Sequence, residues 1–404
     1  IYRIPGGSGI DGIIIYRPGA AEIDTDERGG PKMITITIIA LVVLLVGGVP
    51  ICYAIGFAGV IGLYLGTDMP LMMIVQRFFA GLNSFSLMAV PLFILAGAIM
   101  GKGGISRRIV RFAGACLSWL PGGIGCTCVG ANMIFAGISG SGAAAVSAVG
   151  TLTAPEMTRK GYSHGFTAAL VGGGGSLGPV IPPSIDMIVF ASITGMSVGR
   201  MFLGGIMPGI MIGIMLMIYC IIYALNRKID YDGTFVPINV WTTFKEAFLA
   251  LLMPLIIIGG VILGIFTATE AGGIACVYGL VVSVFVYKEL SLKDLVDVFK
   301  TSTVNTCQVM MIIGMSNIFS YILGLANVGD SIVNFMLGIS ENPLALMIMV
   351  EVLMILIGCF MESIAAMPII LPIVYPMFAA MGVNMNQFGV VFCLATVLGG
   401  LTPP

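Results

Sequence analysis

The chain has 404 residues, of which 58% are apolar and 9% charged, with a formal net charge of −1 and a mean hydropathy of +1.09. A soluble domain carries about 25% charged residues, so this composition cannot cover a core with a water-compatible surface, and the bilayer must be its main solvent. Nucleic acid is excluded as a partner, because the few basic residues sit in short clusters such as Lys102–Arg111, Arg159–Lys160 and Arg227–Lys228, which suit the cytoplasmic ends of membrane helices.

In chain order, residues 1–32 come first and hold nine of the 37 acidic and basic side chains, mixed with Gly and Pro. That is the composition of a polar, disordered leader or linker rather than a signal peptide. It fits either a non-native leader or the tail of an upstream partner. From Met33 the chain turns apolar, and charge-free runs follow at 34–67, 112–155, 201–226, 247–269 and 303–329. Several reach the ~20 residues that a helix needs to cross a hydrocarbon core. The runs are continuous rather than alternating, which selects helices over a barrel. The expected fold class is therefore an all-α polytopic membrane protein. Its expected segments are a first repeat at 33–225, a polar connector at 226–246 and a second repeat at 247–404.

The repeat rests on a gapless register. At an offset of 221, residues 133–183 and 354–404 share eleven identities, among them Gly137/Gly358, Pro155/Pro376, Gly161/Gly382, Leu177-Gly178/Leu398-Gly399 and Pro182-Pro183/Pro403-Pro404. Roughly four would arise by chance from such biased usage. The matches fall on residues that shape backbone, since Gly widens φ and Pro removes a donor. A duplication predicts two related, inverted halves. It also predicts that the second copy extends roughly forty residues past Pro404, so that the chain as written is truncated.

Each half interrupts its apolar segments in the same two places. In the first, Gly137-Ile-Ser-Gly-Ser-Gly142 predicts the tip of a re-entrant hairpin over about 136–155; in the second, Gly358-Cys-Phe-Met-Glu-Ser363 predicts one over about 357–376. Further on, Gly172-Gly-Gly-Gly-Ser-Leu-Gly-Pro-Val-Ile-Pro-Pro183 and Leu398-Gly-Gly-Leu-Thr-Pro-Pro404 predict stretches where Pro-Pro unwinds the helix. Paired broken helices in corresponding places are the sequence mark of a carrier's binding site. Hairpin tips offer free N–H groups and a positive dipole end to an acid. Unwound carbonyls with Ser or Thr hydroxyls supply the hard oxygens that an alkali cation takes.

Four acids lie in or beside apolar stretches: Asp186, Glu270, Glu351 and Glu362. Intramembrane carboxylates are costly and often functional. Glu362, at a predicted tip, is divided between an ion or gating role and a capping role. Glu270 in Thr267-Ala-Thr-Glu270 has the form of a helix start. Asp186 faces either the cavity or a solvated vestibule. The single histidine, His164, is expected in a loop, and the nine cysteines lack metal or redox spacing, so they are expected as packing residues.

Several stretches together resemble the large membrane subunit of the tripartite ATP-independent periplasmic (TRAP) transporters: Phe135-Ala-Gly-Ile-Ser-Gly-Ser-Gly142, Pro155-Glu-Met-Thr-Arg-Lys-Gly-Tyr162, Gly175–Ile185, Gly264-Ile-Phe-Thr-Ala-Thr-Glu-Ala271 and Gly399–Pro404. The likeness covers roughly 33–404. It implies a multi-pass protein of the bacterial inner membrane that works with a small four-helix membrane subunit and a periplasmic substrate-binding protein. It further implies sodium-coupled uptake of small organic acids by an elevator-like movement, with no cofactor beyond Na+ as coupling ion. Carried onto this chain, the substrate and ion positions are Ser139, Gly140, Ser141, Gly142, Gly178, Pro182, Pro183, Ser184, Glu362, Ser363, Thr402 and Pro403. Sodium would be held by carbonyls and hydroxyls near Ser141, Gly178, Ser363 and Thr402. Two departures stand out, Glu362 where the family usually has Asp and Thr-Ala-Thr-Glu for the commoner Thr-Pro-Thr-Glu.

Three rivals can be set against this reading. One is an elevator-type dicarboxylate or citrate symporter that needs no binding protein. An intramembrane enzyme would require a nucleophile and base or a metal cluster, yet there is one His and neither His-Glu-x-x-His nor Gly-x-Ser-x-Gly. A channel has no use for alternating halves.

Overall fold

The computed structural model describes residues 30–67, 69–229 and 237–402; most of the polar leader at 1–32 and both Pro403 and Pro404 lie outside the described residues. All regular structure among the described residues is helical. The first half contributes α1 (Gly30–Val46), α2 (Ile51–Gly66), α3 (Met72–Leu82), α4 (Ala89–Lys102), α5 (Ile105–Leu117), α6 (Gly123–Ser139), α7 (Gly142–Arg159), α8 (His164–Gly175), α9 (Ile185–Thr194) and α10 (Val198–Arg227). The second contributes α11 (Pro237–Ile262), α12 (Ala268–Val281), α13 (Leu292–Leu325), α14 (Val328–Ile339), α15 (Pro343–Gly358), α16 (Ser363–Ala380) and α17 (Met385–Leu401).

Five of these are long and apolar enough to cross a bilayer: α10, α11, α12 with the π turn that continues it to Val286, α13 and α16. A sixth span is available if α3 and α4, bent by 68° at the intervening break, count as one. α10 shows why lipid suits it. Met207, Met215 and Tyr219 are exposed along it while Gly205, Gly209 and Gly213 are buried, so small residues pack inward and large ones face out. Helix covers both ends of the stretch expected as a polar connector, since α10 runs through Arg227 and α11 begins at Pro237, leaving 230–236 outside the described residues.

Helix ends keep the register of the sequence repeat. Gly142 and Ser363 open α7 and α16, Arg159 and Ala380 close them, and His164 and Met385 open α8 and α17, each pair 221 residue numbers apart. The halves differ where α3 and α4 bend, because the corresponding stretch of the second half is the single 34-residue α13. His164 is the first residue of α8 rather than a loop residue: Ser163 caps that helix by accepting a hydrogen bond from the Phe166 amide, which carries His164 into its first turn.

α6 is packed by α5, α7, α8 and α10, while α9 packs against α16 and α17, so the first half's short helix is set into the second half. Phe190 on α9 meets Phe388 and Phe392 of α17 at ring-centroid distances of 6.3 and 5.8 Å. Charged groups gather at helix ends. Lys102 pairs with Asp297, and Arg108 donates to Glu289 at 2.7 Å while lying 3.6 Å over the Tyr287 ring. These contacts tie the α4–α5 turn to the start of α13 and the segment before it. The cysteines are unpaired, and Cys126, Cys128, Cys220, Cys276 and Cys393 are buried.

Candidate functional site

The first break is two residues long. α6 ends at Ser139, Gly140 caps it with φ +62°, and Ser141 is extended before α7 begins at Gly142. Gly140 is required twice over. Its positive φ favours glycine, and a Cβ there would lie 2.4 Å from the Pro183 carbonyl oxygen. The Gly140 carbonyl accepts from the Ile185 amide at 3.3 Å, which joins the break to the start of α9. α6 and α7 pack on one another across the break, as a hairpin requires.

The second break runs from Cys359 to Glu362, between α15 and α16. Glu362 occupies the cap position of α16 with an extended backbone, and its carbonyl accepts from the amides of Ala365 and Ala366. Its carboxylate makes no cap hydrogen bond and is exposed. The capping role is therefore absent at Glu362. At Glu270 it is present in full: Thr267 accepts from the Glu270 amide at 3.2 Å while the Glu270 carboxylate accepts from the Thr267 amide at 2.8 Å.

Between α8 and α9, residues 176–184 leave the helix. Ser184 ends this stretch by capping α9: its hydroxyl accepts from the Met187 amide at 3.1 Å and donates to the Pro179 carbonyl. Pro182 and Pro183 are joined by a cis peptide. Gly178 lies directly against the first break, where a Cβ would come within 2.8 Å of Ser141 and Gly142 backbone atoms. In the second half Gly399 abuts Gly358 instead, with a notional Cβ 2.7 Å from its Cα. Thr402 closes α17, donating to the Gly399 carbonyl at 2.7 Å, and its hydroxyl sits 3.3 Å from the Cys359 sulfur on the second break.

Two cavities meet at the breaks. One, of about 550 Å³, is lined by Gly140, Ser141 and Gly142 from the first break and by Cys359–Ser363 from the second, with Asp186, Ser176 and Thr396 around them. The other, of about 600 Å³, starts from Ser139, Ser141 and Glu362 and runs between α7 and α13 to Lys102, Arg107 and Glu289. Seven sequence candidates thus line a shared space: Ser139, Gly140, Ser141, Gly142, Glu362 and Ser363 directly, joined by the acid Asp186. Gly178, Pro182, Pro183 and Ser184 stand behind the first tip and shape it. Thr402 stands beside the second break, and Pro403 lies outside the described residues.

Sequence reasoning missed part of the lining. Ser147 and Thr151 on α7, and Thr301, Asn305 and Gln308 on α13, all face the larger cavity. The signal was available as helical spacing: i, i+4 in each helix, within stretches free of charge. Asp186, which the sequence left between the cavity and a solvated vestibule, is 3% exposed and lines the smaller cavity.

The arrangement offers the N-termini of α7, α9 and α16, three serine hydroxyls and two carboxylates to one space. No group of three or more His, Cys, Asp or Glu able to hold a metal ion occurs among the described residues. Such a site can bind and release a small acid and hard cations, with hydroxyls and amides in place of a nucleophile and base.

Comparison with known proteins agrees with the helical architecture. Residues 38–404 match the family model described as the tripartite ATP-independent periplasmic transporter, DctM component. Similar proteins include the isethionate TRAP transporter permease protein DctMQ of Oleidesulfovibrio alaskensis, 38% identical over 89% of this chain; the chain spans 57% of that relative's length. The C4-dicarboxylate TRAP transporter large permease protein DctM of Pseudomonas aeruginosa is 33% identical over 87% of this chain and 82% of its own. The sialic acid TRAP transporter large permease protein SiaM of Vibrio cholerae is 32% identical over 89% and 84%. Among solved structures, Neisseria gonorrhoeae MtrF, described with a class of antimetabolite efflux pumps, superposes with a TM-score of 0.53 at 13% identity, covering 91% of this chain and 84% of that one.

Proposed function

The chain belongs to the DctM component family of the tripartite ATP-independent periplasmic transporters, and on that premise we propose that it is the carrier subunit of a sodium-driven uptake system for small organic acids. As a member of this family it is a transporter permease and not an enzyme, a multi-pass protein of the bacterial inner membrane. A periplasmic binding protein delivers the acid, and a small four-helix subunit accompanies the carrier in the membrane.

One observation carries the reading: two breaks, equivalent under the 221-residue register, open into the same cavity. The acid sits at the N-termini of α7 and α16, where unpaired amides and the helix dipole favour negative charge. Sodium ions sit against carbonyls and hydroxyls near Ser141, Gly178, Ser363 and Thr402, since hard cations take such oxygens. The two halves are inverted copies, and the domain carrying both hairpins moves as an elevator. Relatives named for isethionate, C4-dicarboxylate and sialic acid all handle acids, which supports an acid as cargo.

The test is reconstitution of the full-length carrier with its small subunit and binding protein in proteoliposomes. Uptake of labelled organic acids should need an inward sodium gradient and the loaded binding protein. Equal uptake with potassium in place of sodium would refute the coupling. Equal uptake without the binding protein would favour the self-sufficient symporter.

A further inference from the structure

Asp186 is a buried acid to which the sodium-coupled reading assigns no task. It lies in the first turn of α9, two residues past the Ser184 cap, and is 3% exposed. Its Oδ2 has no hydrogen-bond partner. A carboxylate taken out of water needs a cation or a donor on each oxygen, and Oδ2 has neither among the described residues.

Asp186 shares the 550 Å³ cavity with Glu362, and these two are the only charged side chains among its described lining residues. No Lys, Arg or His opposes them there. A plain anion in this space would enjoy the ends of α7, α9 and α16, each worth about half a positive charge, but would face two full carboxylates. The volume also exceeds what an inorganic ion needs and admits a small organic molecule. Phe360, Val397 and Leu401 supply an apolar wall for its carbon skeleton.

We propose that Asp186 and Glu362 form a subsite for an ammonium group, so that the transported acid is a zwitterion. Its carboxylate or sulfonate sits at the N-termini of α7 and α16, and its ammonium pairs with the Asp186 carboxylate at the cavity wall. The inference rests on the reading that places the cargo between the two breaks. Glu362 contributes a second negative charge to the same lining.

The experiment compares matched ligands on the purified full-length protein in saturating sodium, by calorimetry. The pairs are 4-aminobutanoate with 4-hydroxybutanoate and taurine with isethionate, each differing in an ammonium for a hydroxyl. At least one ammonium member should bind about tenfold more tightly than its hydroxyl partner, the worth of a charge-assisted hydrogen bond. Asp186→Asn should bring that ratio close to one. Equal or tighter binding of the hydroxyl members to the unaltered protein overturns the proposal, and this comparison needs no variant to fold. A preference that survives Asp186→Asn overturns it as well. So does a variant that weakens both members of a pair alike and raises the sodium requirement, which would assign Asp186 to an inorganic cation. Sodium-dependent binding of hydroxyl acids alone removes only the ammonium subsite, whereas no sodium-dependent binding of any acid removes the carrier-site reading with it.

Discussion

A Cβ atom on Gly178 would lie 2.7 Å from the carbonyl carbon of Ser141, so the backbone of the unwound stretch after α8 touches the backbone of the first helix break. That contact exists because Gly178 carries no side chain at the meeting point. It fixes the height at which the α7 N-terminus meets the cavity.

Gly178→Ala should therefore displace the Ser141–Gly142 backbone and abolish most transport, with a stability cost of about 1–3 kcal/mol, typical of overpacking. Gly259→Ala on α11 is the control, since nothing lies within 4 Å of the added methyl. Uptake in proteoliposomes and thermal unfolding in detergent separate the two variants. A Gly178→Ala protein with normal uptake would mean the break does not need this contact.

Glu362 and Glu270 should dissociate transport from stability. Glu362→Ala removes a carboxylate that caps nothing and faces both cavities, so uptake should fall at least tenfold with an unchanged unfolding midpoint. Glu270→Ala breaks a complete capping box, so its midpoint should drop while uptake per folded molecule holds. The opposite pattern would reverse the assignment of these two acids.

The larger cavity's polar lane can be tested without touching the breaks. Asn305→Leu and Ser147→Val place apolar groups on opposite walls of it. Each should slow uptake several-fold and leave sodium dependence as it was. If uptake is unaffected by both, the lane carries no solute.

Thr402 anchors the end of α17 by donating to the Gly399 carbonyl. Thr402→Ser keeps the hydroxyl and should transport normally. Thr402→Val should raise the sodium concentration for half-maximal uptake, measured by sodium titration at fixed substrate. An unshifted titration would remove Thr402 from the proposed ion positions.

Arg108 and Lys102 make different kinds of ion pair. Arg108 is half-buried, bonded to Glu289 and to the Gly104 carbonyl, and stacked on Tyr287. Arg108→Ala should cost about 1–2 kcal/mol, the scale of a partly desolvated cation–π contact and its hydrogen bonds. Lys102→Ala removes an exposed pair with Asp297 and should leave the unfolding midpoint where it was, because solvent screens such pairs.

What the amino-acid sequence determined by itself was everything carried by backbone chemistry and solvent choice. Low charge selected lipid, continuous apolar runs selected helix, and Gly140, Pro182-Pro183 and the Gly358–Ser363 stretch marked where helices stop. These signals are local: a missing Cβ or a missing N–H acts on its own turn, whatever packs around it. The capping box at Thr267 and Glu270 was legible for the same reason. Which side chains share a cavity was decided only by tertiary structure. Glu362 and Glu270 both precede or open a helix, yet only one carboxylate turns back to cap, because the other faces open space between helices distant in sequence. Asp186 enters the site through the placement of α9 against α16, and Asn305 and Gln308 through the cavity that α13 and α7 line together. Such placements sum many weak contacts between segments far apart in the chain, and no single residue spacing records them.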